Sequence, residues 1–341
     1  MCRERIGKLK KILERKKKVL IFTHNNPDPD AIAAAWGLSH LLRERMGVGS
    51  VIVYGGMVTR AENRAMVRLL KISIKPIDMV NIYNFRVVAL VDTQPGAGNN
   101  ALPASIRPTI VIDHHTQRKS SQKVEFADIR PQYGSCSTIL TEYLIHDELT
   151  IKRKLATALY YGIKSDTQDL GRDATSADHE ATIHLYSKVQ QKVLSQIEHP
   201  ELSRDYCLIF DQALHDAVIR GDVIICDLGF QVNPDMVSLM ADFLVRISGV
   251  RWSFVVGTFD NRVIFSLRTK RRNQNAGLLA RRMVKGLGTA GGHGMVGGGQ
   301  IPTRGLMGPM LQKIREDLRD RFLRIMGKET TREERLIPDR A

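Results

Sequence analysis

The chain has 341 residues, 43% of them hydrophobic, and carries 51 lysines and arginines against 36 acidic residues, a net charge of +15. That length suffices for two domains with cores, and the charge favours a polyanionic partner. Aromatic residues make up only 6%, which speaks against long single-strand stacking platforms and for short substrates; no run approaches the roughly 18 apolar residues of a membrane helix.

Ile6, Leu9 and Leu13 give a first amphipathic helix, charged from Arg3 onward, with the basic run Arg15 to Lys18 in solvent. An opening of this kind is no signal core and argues for a cytoplasmic protein without a membrane partner. Cys2, Cys136, Cys207 and Cys226 lack pair spacing and read as reduced, structural residues. The apolar run Lys18 to Phe22 is a strand, followed by His24-Asn25-Asn26-Pro27-Asp28-Pro29-Asp30 and a helix to about Met46. Val51 to Tyr54, Val87 to Val91 and Thr109 to Ile112 are further strands, the last two ending in Asp92 and in Asp113-His114-His115. Helices follow from Ser135 to His146 and from Leu155 to Ile163, the second leading to Asp166. Strands alternating with helices predict a doubly wound, parallel α/β domain over residues 1–190, in which the carboxyl ends of the strands meet at one edge.

A linker is expected over 191–204, around Glu198-His199-Pro200-Glu201, and a smaller α+β domain over 205–328. The latter takes helices at Asp205 to Arg220, Asp235 to Ile247 and Ala276 to Lys285, a strand at Asp222 to Cys226, and a hairpin of Trp252 to Gly257 with Arg262 to Arg268. The glycine-dense segment Gly286 to Gly299 reads as a loop whose backbone N–H groups can face an anion. It matches neither a phosphate-binding P-loop nor a dinucleotide fingerprint. Residues 329–341 are expected as a charged, poorly packed tail.

An isolated aspartate after a strand is as a rule a turn or helix-cap residue. Four acidic segments in order, three of them closing strands, instead point to a metal site. Carboxylates mixed with imidazoles suit Mn²⁺, and less specifically Mg²⁺, Fe²⁺ or Zn²⁺, and the lack of cysteine in these segments argues against structural zinc.

The set His24-x-x-x-Asp28-x-Asp30, Asp92, Asp113-His114-His115 and Asp166 resembles motifs I to IV of the DHH phosphoesterase superfamily. Ser266-Leu267-Arg268-Thr269 and the Gly291-Gly292-His293-Gly294 segment resemble its DHH-associated C-terminal domain, although Thr289 and Ala290 interrupt the glycine run. The superfamily includes nanoRNases that also act on 3′-phosphoadenosine 5′-phosphate, cyclic-dinucleotide phosphodiesterases, single-strand exonucleases and manganese pyrophosphatases. The resemblance implies two divalent ions, Mn²⁺ foremost: His24, Asp28 and Asp92 on one, and Asp30, Asp92, His114 and Asp166 on the other. It makes Asp92 the bridge, His115 the contact to the scissile phosphate and Asp113 the residue that orients the histidine pair. Arg268, Gly291, Gly292, His293 and Gly294 become substrate contacts across a cleft between the domains. The expected activity is hydrolysis of short RNA and linear dinucleotides to mononucleotides by two-metal in-line attack, with 3′-phosphoadenosine 5′-phosphate or a cyclic dinucleotide as rival substrates. A non-catalytic nucleic-acid binder on the same fold is the rival of another class, and a homodimer is left open.

Overall fold

The computed structural model describes residues 2–58, 60–230, 233–271 and 273–338, in two compact units that divide between Glu201 and Leu202. In the first, β1 (Lys18–Phe22), β2 (Gly49–Tyr54), β3 (Ile74–Pro76), β4 (Val88–Val91), β5 (Ile110–Asp113) and β6 (Phe126–Ile129) form one sheet in the order β3-β2-β1-β4-β5-β6. Every pairing is parallel, with Leu20 opposite Val51, Ile21 opposite Ala89 and Leu90 opposite Val111. The chain builds outward from β1 to β3, then returns to the other side of β1 with β4. Strand order therefore reverses between β1 and β4, the place where open α/β sheets bind ligands.

Continuous apolar strands are those buried on both faces, and here alternate residues serve two cores. Val19, Ile21, Ala89, Val91, Ile110 and Ile112 face a large core. It also holds residues of α1 (Cys2–Leu13), α2 (Pro29–Met46), α3 (Ala61–Leu70), α4 (Cys136–His146), α5 (Arg153–Asp166), α6 (Ser176–Tyr186) and α7 (Gln191–Glu198). Leu20, Phe22, Val88, Leu90 and Val111 face a smaller one, closed by Ile77, Ile82, Phe85, Leu102 and Ile106 from single-turn helices and loops. Small residues let α2, α4 and α5 run close to one another. A Cβ on Gly37 would lie 3.2 Å from that of Leu140, and one on Gly162 only 2.3 Å from Ser137 Oγ.

The second unit has a seven-stranded mixed sheet, order β11-β12-β10-β9-β8-β7-β13. Its strands are β7 (Val218–Arg220), β8 (Val223–Phe230), β9 (Trp252–Phe259), β10 (Arg262–Thr269), β11 (Thr289–His293), β12 (Val296–Pro302) and β13 (Glu334–Arg335). Among the described residues of this unit only β8 and β9 pair in parallel. α10 (Ala276–Met283) and α11 (Gly308–Met326) cover one face through Phe254, Phe265 and Phe322. α8 (Arg204–Asp216) and α9 (Asp235–Leu244) cover the other around Ile224, Cys226 and Val255.

Four expectations change. The helix expected to reach Arg220 stops at Asp216, because Val218–Arg220 extends to pair with β8. The segment expected as a linker is helical over Gln191–Glu198 and buries Leu194 and Ile197 in the first core. The tail is tied down as far as Leu336: β13 pairs with β7, Glu333 binds Arg220 and Arg319 at 2.8 and 2.5 Å, and Leu336 packs against the second core face. The glycine run is a β-hairpin rather than a loop, and close backbone approach explains it. A Cβ on Gly277 at the start of α10 would sit 2.0 Å from the Gly292 carbonyl oxygen, and one on Gly297 2.4 Å from that of Ala276.

Gly277→Ala should therefore destabilise the protein by at least about 2 kcal/mol, since backbone atoms cannot yield as side chains do. Gly7→Ala, in α1 with open space around it, should stabilise by about 0.5–1 kcal/mol through helix propensity. Urea melts of the two variants should shift in opposite directions.

Candidate metal centre

His24 lies just beyond β1, and its Nδ1 donates to the Asn25 carbonyl at 2.9 Å. A carbonyl can only accept, so Nδ1 carries the hydrogen and Nε2 keeps its lone pair for a cation. Nε2 stands 3.5 Å from Asp28 Oδ2 and 3.5 Å from Asp92 Oδ2. Asp28 does two things at once: Oδ1 caps α2 by accepting the Ala31 N–H at 2.9 Å, and Oδ2 faces the histidine. Burial works to raise the Asp28 pKa, but His24 outweighs it and holds the carboxyl well below the ordinary range. Burial likewise pulls His24 down, and Asp28 and Asp92 raise it further still, to well above its usual value.

Asp92 directly follows β4, in the left-handed region at φ 58°, with its N–H bound to the Ile112 carbonyl at 3.0 Å. Aspartate tolerates that backbone better than most side chains. Asp30, 1% exposed, accepts the Cys136 and Ser137 N–H groups at 2.7 and 2.8 Å, so the first turn of α4 holds both of its oxygens. Gly162 permits this contact by letting α5 approach Asp30 and Ser137, and α5 delivers Asp166 at its last residue. Burial, then Asp92 and Asp166, push Asp30 well above the ordinary carboxylate value, and burial raises Asp92 against the pull of His24.

His114 follows the rule of His24. Its Nδ1 donates to the Tyr133 carbonyl at 3.1 Å, and Nε2 meets Asp166 Oδ2 at 3.1 Å and Asp92 Oδ1 at 3.5 Å. Asp113 binds only one histidine of the pair it was expected to orient. Its Oδ1 accepts His115 Nδ1 at 2.9 Å and the His115 main-chain N–H at 3.3 Å, whereas His114 is oriented by Tyr133. Burial works to raise Asp113, and the His115 and Gln94 bonds hold it below its usual value; burial lowers His115, and Asp113 and Asp92 lift it above.

The fold thus brings six expected ligands into two sets, His24 with Asp28 and Asp92, and Asp30 with His114 and Asp166, whose donor atoms in each set lie within 4.8 Å of one another. Two imidazole lone pairs aimed at carboxylates are mutually repulsive unless a cation or a proton lies between them. The donor set of hard oxygens and borderline nitrogens fits a divalent ion.

Sequence reading missed three residues. Cys136, read as structural, lies with its Sγ 3.5 Å from Asp92 Oδ1 and belongs to a further group with Asp30 and Asp92. Its thiol is lifted well above its ordinary pKa by burial and by Asp92. Gln94 binds Asp113 Oδ2 at 2.7 Å. Tyr133 acts through its carbonyl, which no side-chain motif encodes, and its hydroxyl is held by Glu142 at 2.6 Å.

In the second unit Arg268 is 7% exposed and bonded on all sides. Nε and Nη2 donate to Asp242 at 2.5 and 3.2 Å, and Nη1 to Ser266 Oγ at 2.7 Å and the Leu267 carbonyl at 3.0 Å. Gly291 and Gly292 lie in β11 and Gly294 in the turn to β12, while the His293 side chain falls outside the described residues. Among the described residues no helix is long and apolar enough to cross a membrane.

Known proteins resemble this chain in sequence and in fold. A family model for the DHH family, N-terminal domain, matches residues 18–163, and one for the DHHA1 domain matches residues 220–323. An uncharacterized protein of Methanocaldococcus jannaschii is 35% identical over 334 residues, 95% of this chain and 68% of that protein. Cyclic-di-AMP phosphodiesterase GdpP of Bacillus subtilis is 24% identical over 274 residues, 75% of this chain and 41% of that protein. A crystal structure of an exopolyphosphatase-related protein from Bacteroides fragilis shares the fold, with a TM-score of 0.71 at 16% identity over 95% of this chain and 98% of that one. The chain therefore spans about two thirds and two fifths of the lengths of the two sequence relatives.

Two variants test the division of labour within the pair. His114→Ala should lower divalent-ion affinity by at least about tenfold, since even groups behind the ligands are worth that much. His115→Ala should bind metal as wild type does. Calorimetric metal titration of both checks the assignment.

Proposed function

We propose, on the premise that the chain belongs to the DHH family of phosphoesterases and carries a DHHA1 domain, that it hydrolyses short RNA oligonucleotides and linear dinucleotides with two divalent ions, Mn²⁺ foremost. The observation that carries the reading is the pair of ligand sets that meet at Asp92. A pure nucleic-acid binder gains nothing from clustered carboxylates, which repel a polyanion unless cations neutralise them.

His24, Asp28 and Asp92 would hold one ion, and Asp30, Asp92, His114 and Asp166 the other. When bound, such a pair supplies charge stabilisation at the attacking and leaving oxygens of an in-line displacement at phosphorus. The chain's own residues do the rest. Main-chain carbonyls fix the His24 and His114 tautomers, so that both Nε2 atoms stay available as ligands. Asp113 holds the His115 ring by Nδ1 at 2.9 Å, and the partly exposed imidazole neutralises charge on the phosphoryl oxygens as it develops. Arg268 and the Gly291 to Gly294 backbone would contact the part of the substrate away from the reacting phosphorus. Asp242 then competes with the substrate for the guanidinium, and a phosphate must replace it. The net charge of +15 supports a polyanionic substrate.

A second reading, cyclic di-AMP as substrate, is favoured by the similarity to cyclic-di-AMP phosphodiesterase GdpP. Turnover of pApA, pGpG, a five-nucleotide RNA, 3′-phosphoadenosine 5′-phosphate, cyclic di-AMP and pyrophosphate, compared side by side with Mn²⁺, separates the readings. The dinucleotides should give the highest kcat/KM, and a preference of tenfold or more for cyclic di-AMP would replace the first reading by the second (about 1.4 kcal/mol).

Asp92→Asn, which keeps a side chain suited to φ 58°, should remain folded by circular dichroism and lose activity more than about thirtyfold, roughly 2 kcal/mol. Arg268→Ala should cut kcat/KM for pApA by about ten- to a hundredfold, the worth of a charge-assisted phosphate contact. Bis-p-nitrophenyl phosphate has no second phosphate to hold, and its hydrolysis should be nearly unchanged. Equal losses on the two substrates would reduce the Arg268–Asp242 pair to a structural role.

A further inference from the structure

Gln94, two residues beyond Asp92, is 2% exposed and has both ends of its amide engaged. Nε2 lies 2.7 Å from Asp113 Oδ2 and 3.1 Å from the Thr116 carbonyl; Oε1 accepts the Arg118 N–H at 2.8 Å and the Ser121 hydroxyl at 2.8 Å. Acceptors surround one end and donors the other, so the amide has one orientation only. The loops after β4 and β5 are sewn together around it: Arg118 Nη1 reaches the Gly96 carbonyl at 3.2 Å, and Ser120 Oγ the Pro95 carbonyl at 2.5 Å. The Gln94 carbonyl itself accepts Asn100 Nδ2 at 3.0 Å.

We propose that Gln94 is a positioning residue for phosphoester hydrolysis: by holding Asp113 Oδ2 it leaves Oδ1 in the one place from which it can fix the His115 ring. Asp113 has two oxygens and one rotatable carboxylate plane. With Oδ2 bound by Gln94, Oδ1 receives both the ring Nδ1 and the main-chain N–H of His115. Without that bond the carboxylate can turn, and the ring loses its tightest anchor, Asp92 Oδ1 standing 3.5 Å from the same Nδ1, while the ligand sets keep their own anchors at Asn25, Tyr133 and the first turn of α4. The relay runs Gln94 to Asp113 to His115; it shares Cys136, whose Sγ is 4.0 Å from Asp113 Oδ1, with the contacts that hold Asp30, but the hydrogen bonds that orient His24 and His114 lie outside it. The inference rests on the reading that His115 contacts the substrate phosphate.

Gln94→Glu is the informative substitution, because its carboxylate still accepts from Arg118 and Ser121 but offers Asp113 a second acceptor in place of a donor. Gln94→Met removes both ends at similar volume. With bis-p-nitrophenyl phosphate and Mn²⁺, Gln94→Glu should lower kcat about ten- to a hundredfold, the scale of a small misplacement of a reacting group, with KM and bound metal unchanged. Asp113→Asn should show a similar loss, and combining either Gln94 variant with Asp113→Asn should add less than about twofold, since residues in one network are not additive. Multiplicative losses in the double variants, loss of bound metal in Gln94→Glu, or kcat within about twofold of wild type in both Gln94 variants would each overturn the proposal. His115→Ala separates this from the underlying reading. If it loses kcat while the Gln94 variants do not, the relay alone is wrong; if His115→Ala retains wild-type kcat, the role of His115 falls and the relay with it.

Discussion

Like charges crowded in a partly buried place govern the first unit. Asp28, Asp30, Asp92 and Asp166 converge with two imidazoles at the carboxyl ends of β1, β4 and β5 and at the last residue of α5. Carboxylates so placed cost free energy unless cations or protons compensate them, and the fold supplies several devices that keep them there. The first turn of α4 binds Asp30, the cap of α2 binds Asp28, and a left-handed backbone turns Asp92 toward both sets. Gly37 and Gly162 belong to the same arrangement, since helix contact at their positions is what brings Asp30, Ser137 and α5 together.

The sequence made the skeleton of this site legible because polar residues closed apolar runs of strand length, and the order of four such segments carried more information than any of them singly. The six ligand candidates lie in two groups of neighbouring donor atoms. Residues that act through an amide, a carbonyl or a thiol left no such trace. Gln94 sits in a turn-like segment, Tyr133 contributes main chain only, and Cys136 has no partner cysteine at metal-binding spacing. Boundaries failed where tertiary pairing overrode local pattern: Val218–Arg220 continues an amphipathic helical run in sequence, yet it pairs with β8. The tail likewise looks solvated until β7 and the Glu333 ion pairs hold it.

The second unit shows how one composition supports different physics. Successive glycines suggested exposed amides for an anion. Their immediate role is steric, because β11 and β12 lie against the start of α10 with no room for Cβ atoms at Gly277 or Gly297. The two roles are compatible, since a backbone stripped of side chains for packing is also one that a ligand can approach. Arg268 carries the same duality. A guanidinium paired with Asp242 is held at a fixed angle, and under the proposed function that carboxylate is the anion a substrate phosphate would have to replace.

The backbone at Asp92 bears on descent as well as on the local fold. At φ 58° the position suits few residues, chiefly glycine, asparagine and aspartate. A lineage that abandoned hydrolysis while keeping the fold would meet little obstacle in moving from aspartate to asparagine, and considerable obstacle in moving to a branched or bulky residue. Copies of this domain that have become binding or scaffolding modules should thus betray themselves at one place, by an amide or a glycine after the fourth strand, with the surrounding histidines free to drift.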